Sequence, residues 1–336
     1  VRKEKPFYFT RPDKNGNFVF RNIRSDRFKV FALKDDNLNY KYDLETERIA
    51  FLDEPIRLEG KSMEGVLLRS SLPIPRLALK TKNVKTYGKV SLFYNTTVPH
   101  DIDVRVVPET ISYYTEANED SLSIYYDTSL DSFQIFVGKD SLKVFPKGKN
   151  DWLKKSHLIA SSPINKKRIH PADSVVVAFN YPLKNVDFKY INVSDTTGVL
   201  DGVNYHLDVT NKNIIINYPW ELGENYKITI DSNRLTDMYG HVNDNVNIAF
   251  STLSLGTSGT LIVDIEDLDS TKNYVVHILK DKIPLYGYTF NQVKSAHLEL
   301  TLLEPMKYNI DIFEDDNGNG QWDPGDYYEH RQPEVN

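Results

Sequence analysis

Apolar and polar residues alternate in short runs along almost the whole chain. The runs are FVFRNI (18–23), RFKVFAL (27–33), KVSLFYN (89–95), IDVRVV (102–107), SLSIYYD (121–127), SFQIFV (132–137), SVVVAFN (174–180), NIIINY (213–218), YKITID (226–231), LIVDIE (261–266), YVVHIL (274–279), HLELTLL (297–303) and YNIDIF (308–313). A period of two puts one side of each run toward a core and the other toward water, which is the signature of a half-buried strand. A sustained i, i+3, i+4, i+7 apolar pattern is missing, so helices are expected to be nearly absent. Strands at this spacing with turn residues between them predict an all-β chain of tandem β-sandwich modules.

Turn and linker residues divide the runs into units. Residues 1–55 read as the second half of a small β-module, with Asn15-Gly16 turning the chain into Phe18-Val19-Phe20. The chain opens abruptly, as though mid-module and within a longer precursor. Residues 56–80, with Pro73 and Pro75, read as an extended linker. Residues 81–155 form a Tyr-rich β-domain, 156–254 a third unit, and 255–336 a fourth, introduced by Gly256-Thr257-Ser258-Gly259.

The first and last units share a repeat. At an offset of 280 residues (Asp35 to Asp315), Phe28, Val30 and Ala32 fall on Tyr308, Ile310 and Ile312. Asp35, Asp36, Asn37, Asn39 and Asp43 then fall on Asp315, Asp316, Asn317, Asn319 and Asp323, and Tyr42 falls on Trp322. Oxygen-bearing side chains at alternate positions of a tight loop are what a hard cation such as calcium requires. The candidate ligands in the second copy are Asp315, Asn317, Asn319, Asp323 and Asp326, with the carbonyl of Gln321. Those in the first copy are Asp35, Asn37, Asn39 and Asp43. Gly318, Gly320 and Gly325 favour the second copy. In the first, Leu38 and Tyr40 replace glycines and Thr46 stands where the second has Asp326, so the weaker site is expected there. The same residues also build metal-free Asx turns. Calcium, if bound, is expected as a structural clip.

Composition narrows the function classes. There are 41 basic and 47 acidic residues for a net charge of -6, with no basic stripe, so nucleic acid is set aside. The chain has no cysteine, which removes disulfides, thiolate zinc sites and Cys nucleophiles. No apolar stretch approaches the roughly 18 residues of a membrane span.

Residues 5–56 carry Pro6-x-Tyr8-x-Thr10, Gly16-x-Phe18-x-x-x-Asn22-Ile23, Ala32-Leu33-x-Asp35-x-Asn37-x-Asn39-x-x-Tyr42-Asp43 and Glu47-x-Ile49-Ala50-Phe51. This set resembles a Bacteroidota family of Ig-like-domain lipoproteins, with Phe28-Lys29 in place of the usual Tyr-Arg. The C-terminal stretch from Tyr308 to Gln332-Pro333-Glu334 resembles the same family's closing, transthyretin-like module. Pro163, Ser174 to Pro182, Tyr226 to Ile230, Asp237-Met238-Tyr239-Gly240 and Ala249 to Thr252 resemble a bacterial Ig-like domain. The resemblance implies a lipid-anchored outer-membrane protein whose anchor precedes Val1. It carries no catalytic residues over.

Enzyme readings find little support. The histidines, His100, His157, His170, His206, His241, His277, His297 and His330, form no H-x-x-x-H or H-E-x-x-H motif. His100-Asp101-Ile102-Asp103 reads as a polar turn. Trp152, Trp220 and Trp322 read as packing residues, Trp322 stapling its loop. Tyr113-Tyr114 and Tyr125-Tyr126 each place one ring per face, which leaves one of each pair open as a contact surface, with structural packing the favoured reading. Asp120-Ser121, Asp140-Ser141, Asp173-Ser174, Asp195-Thr196 and Asp269-Ser270 resemble a Bacteroidota O-glycosylation signal or are ordinary turns. The resulting expectation is a non-catalytic structural or interaction subunit of an outer-membrane assembly for protein insertion, secretion or uptake. It has protein partners and no cofactor other than calcium. The alternative is a glycan-binding surface lipoprotein.

Overall fold

A computed structural model describes residues 5–336. The first four residues of the expected 1–55 module lie outside the described residues. The chain is all-β and divides into two compact units: residues 76–262 with 298–305, and residues 1–75 with 263–297 and 306–336.

The larger unit holds two sandwiches. In the first, Leu79–Asn83, Lys89–Tyr94, Ser121–Tyr126 and Tyr113–Asn118 make one sheet, and Asp140–Val144, Phe133–Val137 and Val104–Val107 make the other. Alternation dictates the packing. Val90, Leu92 and Tyr94 point inward from one strand and Phe133, Ile135 and Val137 from another, all buried. A seven-residue helix, Lys149–Lys155, follows this sandwich, inside a stretch expected to be wholly β.

The second sandwich is Ig-like. One sheet runs Ala160–Ser161, Val175–Phe179, Asn213–Asn217, Asn204–Leu207, and the other Arg168–Ile169, Val246–Thr252, Asn225–Ile230, Ile191–Ser194. Neighbouring strands are antiparallel except Arg168–Ile169, which lies parallel to Val246–Thr252. Val175, Val177, Ile214, Ile216 and Ile228 are fully buried between the sheets. Each such side chain stabilises the fold by about 1.5–3 kcal/mol relative to exposure.

The smaller unit joins the two ends of the chain. Its C-terminal part has the sheet Ile283–Asn291, Asn273–Lys280, Asn309–Glu314. Its N-terminal part contributes two short ladders, Phe31–Leu33 with Ile49–Phe51 and Arg27–Phe28 with Ile56–Arg57. Tyr327 fills the space between them and the C-terminal segment, its ring 5.7 Å from Phe31, 5.6 Å from Phe51 and 5.8 Å from Tyr42. Gln332 donates to the carbonyl of Phe51 and the carboxylate of Asp53, and the Gly325 N–H donates to Ser71 Oγ. A Cβ on Gly325 would lie 2.9 Å from Pro333 and 3.0 Å from Ser71 Oγ, so only glycine fits there. The segment expected as a linker is thus partly built in. Ser71 is buried and pairs with Ile49, and Ile56–Arg57 is a strand.

Two further sequence expectations need correction. The run 18–23 is not a strand, because it has no ladder partner among the described residues; Phe18 and Phe20 pack edge-on against each other instead. The longest strand, Ile283–Asn291, was not among the expected runs.

Candidate functional site

Both acidic loops fold the same way. In the second, buried Asp315 accepts from the N–H groups of Gly318 (2.7 Å), Asn319 (3.1 Å) and Gly320 (2.9 Å). Asn317 Oδ1 accepts from Asn319 N–H, and Asn319 Oδ1 from Gln321 N–H. The amide groups of Asn317 and Asn319 both donate to Asp323 Oδ2. In the first loop, Asp35 accepts from Asn39 and Tyr40 N–H, Asn37 from Asn39 N–H, and Asn39 from Lys41 N–H. The amides of Asn37 and Asn39 donate to Asp43 Oδ1 and Oδ2. The tight turns need left-handed backbone at two places. Gly318 and Gly320 have φ of 74° and 75°, and their counterparts Leu38 and Tyr40 have 59° and 62°. For a branched or bulky side chain that conformation is strained.

Each loop is closed by a buried glutamate from outside it. Glu334 accepts Asp316 N–H on Oε1 and Asp323 N–H on Oε2. Glu47 accepts the N–H groups of Asp43 and Leu44 on Oε2. Asp323 also meets Arg331 Nη1 at 3.5 Å. Trp322 Nε1 donates to the Glu334 carbonyl, so the indole ties its loop to the C-terminal segment. Of the expected ligands, Asp35, Asn37, Asn39 and Asp43 lie together, as do Asp315, Asn317, Asn319 and Asp323. Gln321 takes part through its N–H. Asp326 belongs to a separate turn, where its carboxylate accepts from Tyr328 and Glu329 N–H. Among the described residues no three His, Asp or Glu side chains are placed to hold one metal ion.

A second polar constellation was not anticipated. Asp237, fully buried, accepts Tyr239 and His241 N–H on Oδ1, and its Oδ2 lies 2.8 Å from His241 Nδ1. His241 Nε2 lies 2.9 Å from Ser156 Oγ, which donates to the Trp152 carbonyl at 2.8 Å. The Asp-His-Ser order is that of a hydrolase relay. Here, however, the hydroxyl caps the end of helix Lys149–Lys155, and Trp152, Tyr181 and Tyr239 ring the imidazole. The arrangement fastens the helix onto the Ig-like sandwich. The i, i+4 spacing of Asp237 and His241 was visible in the sequence; Ser156, 85 residues away, was not.

Burial accounts for most of the remaining aromatic candidates. Tyr125 and Tyr126 are both buried, so packing accounts for both rings of this pair. Tyr126 faces the first sandwich core. The Tyr125 hydroxyl donates to Glu116, which pairs with Lys212 of the Ig-like sandwich at 2.7 Å, so that sandwich covers the other face. Desolvation pushes the Tyr126 phenol up to about 12 and raises Tyr125 and Tyr239 as well. Trp220 is a core residue whose Nε1 donates to the Asp173 carbonyl. His100 and Asp101 sit in an exposed turn. The Asp-Ser/Thr tripeptides also serve turns. Asp195 and Asp269 accept from Thr197 and Thr271 through both N–H and hydroxyl, which lowers both carboxyls below the usual range. One concave surface, about 240 Å³, is lined by Arg69, Ser70, Trp322 and the segment from Pro333 to Asn336.

No family model matches the chain, and no curated protein matches it. Among solved structures, the chain is similar to native alpha-2-macroglobulin from Escherichia coli spanning domains MG0-NIE-MG1 (15% identity, 54% of this chain and 69% of that one, TM-score 0.25). It is also similar to the FN1-FN3 domains of chicken CNTN1 (11% identity, 72% and 93%, TM-score 0.19). The tandem Ig repeats of Dlar match as well (10% identity, 50% and 90%, TM-score 0.16). At these TM-scores none of them bears on what the chain does.

Proposed function

We propose that the chain is a non-catalytic structural and interaction subunit of a lipid-anchored outer-membrane assembly, binding protein partners by strand addition. The observation that carries this reading is the strand Ile283–Asn291, IPLYGYTFN. It is nine residues long, contains no charge and, among the described residues, pairs on one side only, with Asn273–Lys280. Ile283 is 68% and Leu285 44% exposed. Soluble proteins usually protect such edges with charge or cover them, and an unprotected one is a template for a partner's strand. The outer-membrane location and the host machinery (insertion, secretion or uptake) rest on the sequence resemblance. No helix among the described residues is long and apolar enough to cross a membrane.

The competing reading, a glycan-binding surface lipoprotein, is favoured by one observation: Trp322, 37% exposed, lines the concave surface beside Arg69 and Glu334. Affinity purification from the native membrane separates the two. The subunit reading expects stoichiometric partners that are lost with Leu285→Lys and kept with Trp322→Ala. A protein recovered alone that binds glycan arrays through Trp322 overturns it.

A further inference from the structure

Glu47 is buried at 0% exposure. Its Oε2 is held by two N–H groups of the first acidic loop, while Oε1 has no partner among the described residues. A buried carboxylate oxygen without a donor is costly, and native structures rarely leave one so. The second copy shows how such an oxygen can be satisfied. The corresponding oxygen of Glu334 reaches the second residue of its loop and accepts Asp316 N–H. No donor among the described residues does the same for Glu47 Oε1.

The charges differ in the same sense. In the second copy Arg331 lies 3.5 Å from Asp323 and Lys272 lies 3.6 Å from Asp316, so two cations face that loop. In the first, no ion pair to Asp35, Asp43 or Glu47 is present among the described residues. Arg48 donates to the Ser70 carbonyl, Lys34 lies 3.9 Å from exposed Asp36, and Lys5 lies over the Tyr40 ring. Asp43 is met only by the neutral amides of Asn37 and Asn39.

We propose that the first loop binds one hard divalent cation, calcium, with Glu47 and Asp43 as its two carboxylate ligands. Oxygens of Asn37, Asn39 and the loop backbone complete the shell. The ion supplies the positive charge that Arg331 supplies in the second copy, and it satisfies Glu47 Oε1. This reverses the order expected from the glycines: the second loop is closed by its own side chains and the first is left open for an ion. With two carboxylates, the affinity belongs in the range of extracellular calcium modules, on the order of 10⁻⁴–10⁻³ M. The proposal stands apart from the subunit reading above.

The test is a calcium titration of the whole chain by calorimetry, with Tb³⁺ emission sensitised by Tyr40 as a second readout. The wild type is expected to show one site. Glu47→Gln is expected to weaken it at least tenfold, and exposed Asp43→Asn, which leaves the buried interior untouched, likewise. Asp323→Asn is expected to leave it unchanged within twofold. Circular dichroism confirms that each variant is folded; should Glu47→Gln fail that check, Asp43→Asn decides. The proposal is overturned by no binding up to 10 mM calcium, by Asp43→Asn binding as wild type, or by loss of the site in Asp323→Asn. It is equally overturned by a crystal structure grown in calcium that shows only a water molecule on Glu47 Oε1.

Discussion

The two acidic loops share a side-chain network and differ in how it is finished. The second uses glycine where the backbone turns left-handed, a fully satisfied glutamate and an arginine on its central aspartate. The first has Leu38 and Tyr40 at the turns, a glutamate with one idle oxygen, and no arginine. One copy is therefore complete as folded and the other is strained and open. The difference teaches that a repeat can preserve a loop's shape while separating its stability from its capacity to bind.

Five substitutions sharpen or break that contrast. The largest effect is expected from Asp315→Ala, which strips the acceptor from three N–H groups at a buried position; about 3 kcal/mol of stability is lost. Asp35→Ala, at a half-buried site with two N–H groups, costs about 1–2 kcal/mol. Urea denaturation measures both, and equal losses break the contrast. Next, Gly318→Leu imposes on the second copy the strain that the first bears, costing about 1–2 kcal/mol. Its mirror, Leu38→Gly, relieves the first copy by about 1 kcal/mol, since Leu38 is 76% exposed and gives up little packing. A melting temperature that falls in Leu38→Gly removes strain as the distinction. Smallest is Arg331→Gln. As half-exposed pairs contribute about 0–1 kcal/mol, only a slight loss is expected, fading in high salt.

Much of the fold was legible because strict alternation survives wherever a strand is covered on one face. Val175–Phe179 and Asn225–Ile230 read directly from their sequences. Ile283–Asn291 did not: Tyr286, Tyr288 and Phe290 keep the period, but Pro284 and Gly287 are poor strand formers and much of it is exposed. The run 18–23 had the period but no ladder partner among the described residues, and alternation alone supplies none. The loops were legible as Asp and Asn positions, since their contacts are local. Their closing glutamates were not. Glu47 comes 4 residues after Asp43 and Glu334 comes 11 after Asp323, so they do not coincide under the 280-residue offset that exposes the repeat. What covers Tyr125 was not legible, because the second sandwich reaches it through Lys212, 87 residues on.

The bonds that close the smaller unit span nearly the whole chain: Ser71 to Gly325 is 254 residues and Phe51 to Gln332 is 281. During synthesis the first seventy-odd residues emerge long before the segment that completes them. They must wait, with Phe31, Tyr42 and Phe51 uncovered, while the two intervening sandwiches, built from nearer contacts, fold on their own. Contacts this distant in sequence are slow to form, and waiting apolar surface invites aggregation. The smaller unit is therefore expected to gain protection from hydrogen exchange after the sandwiches do.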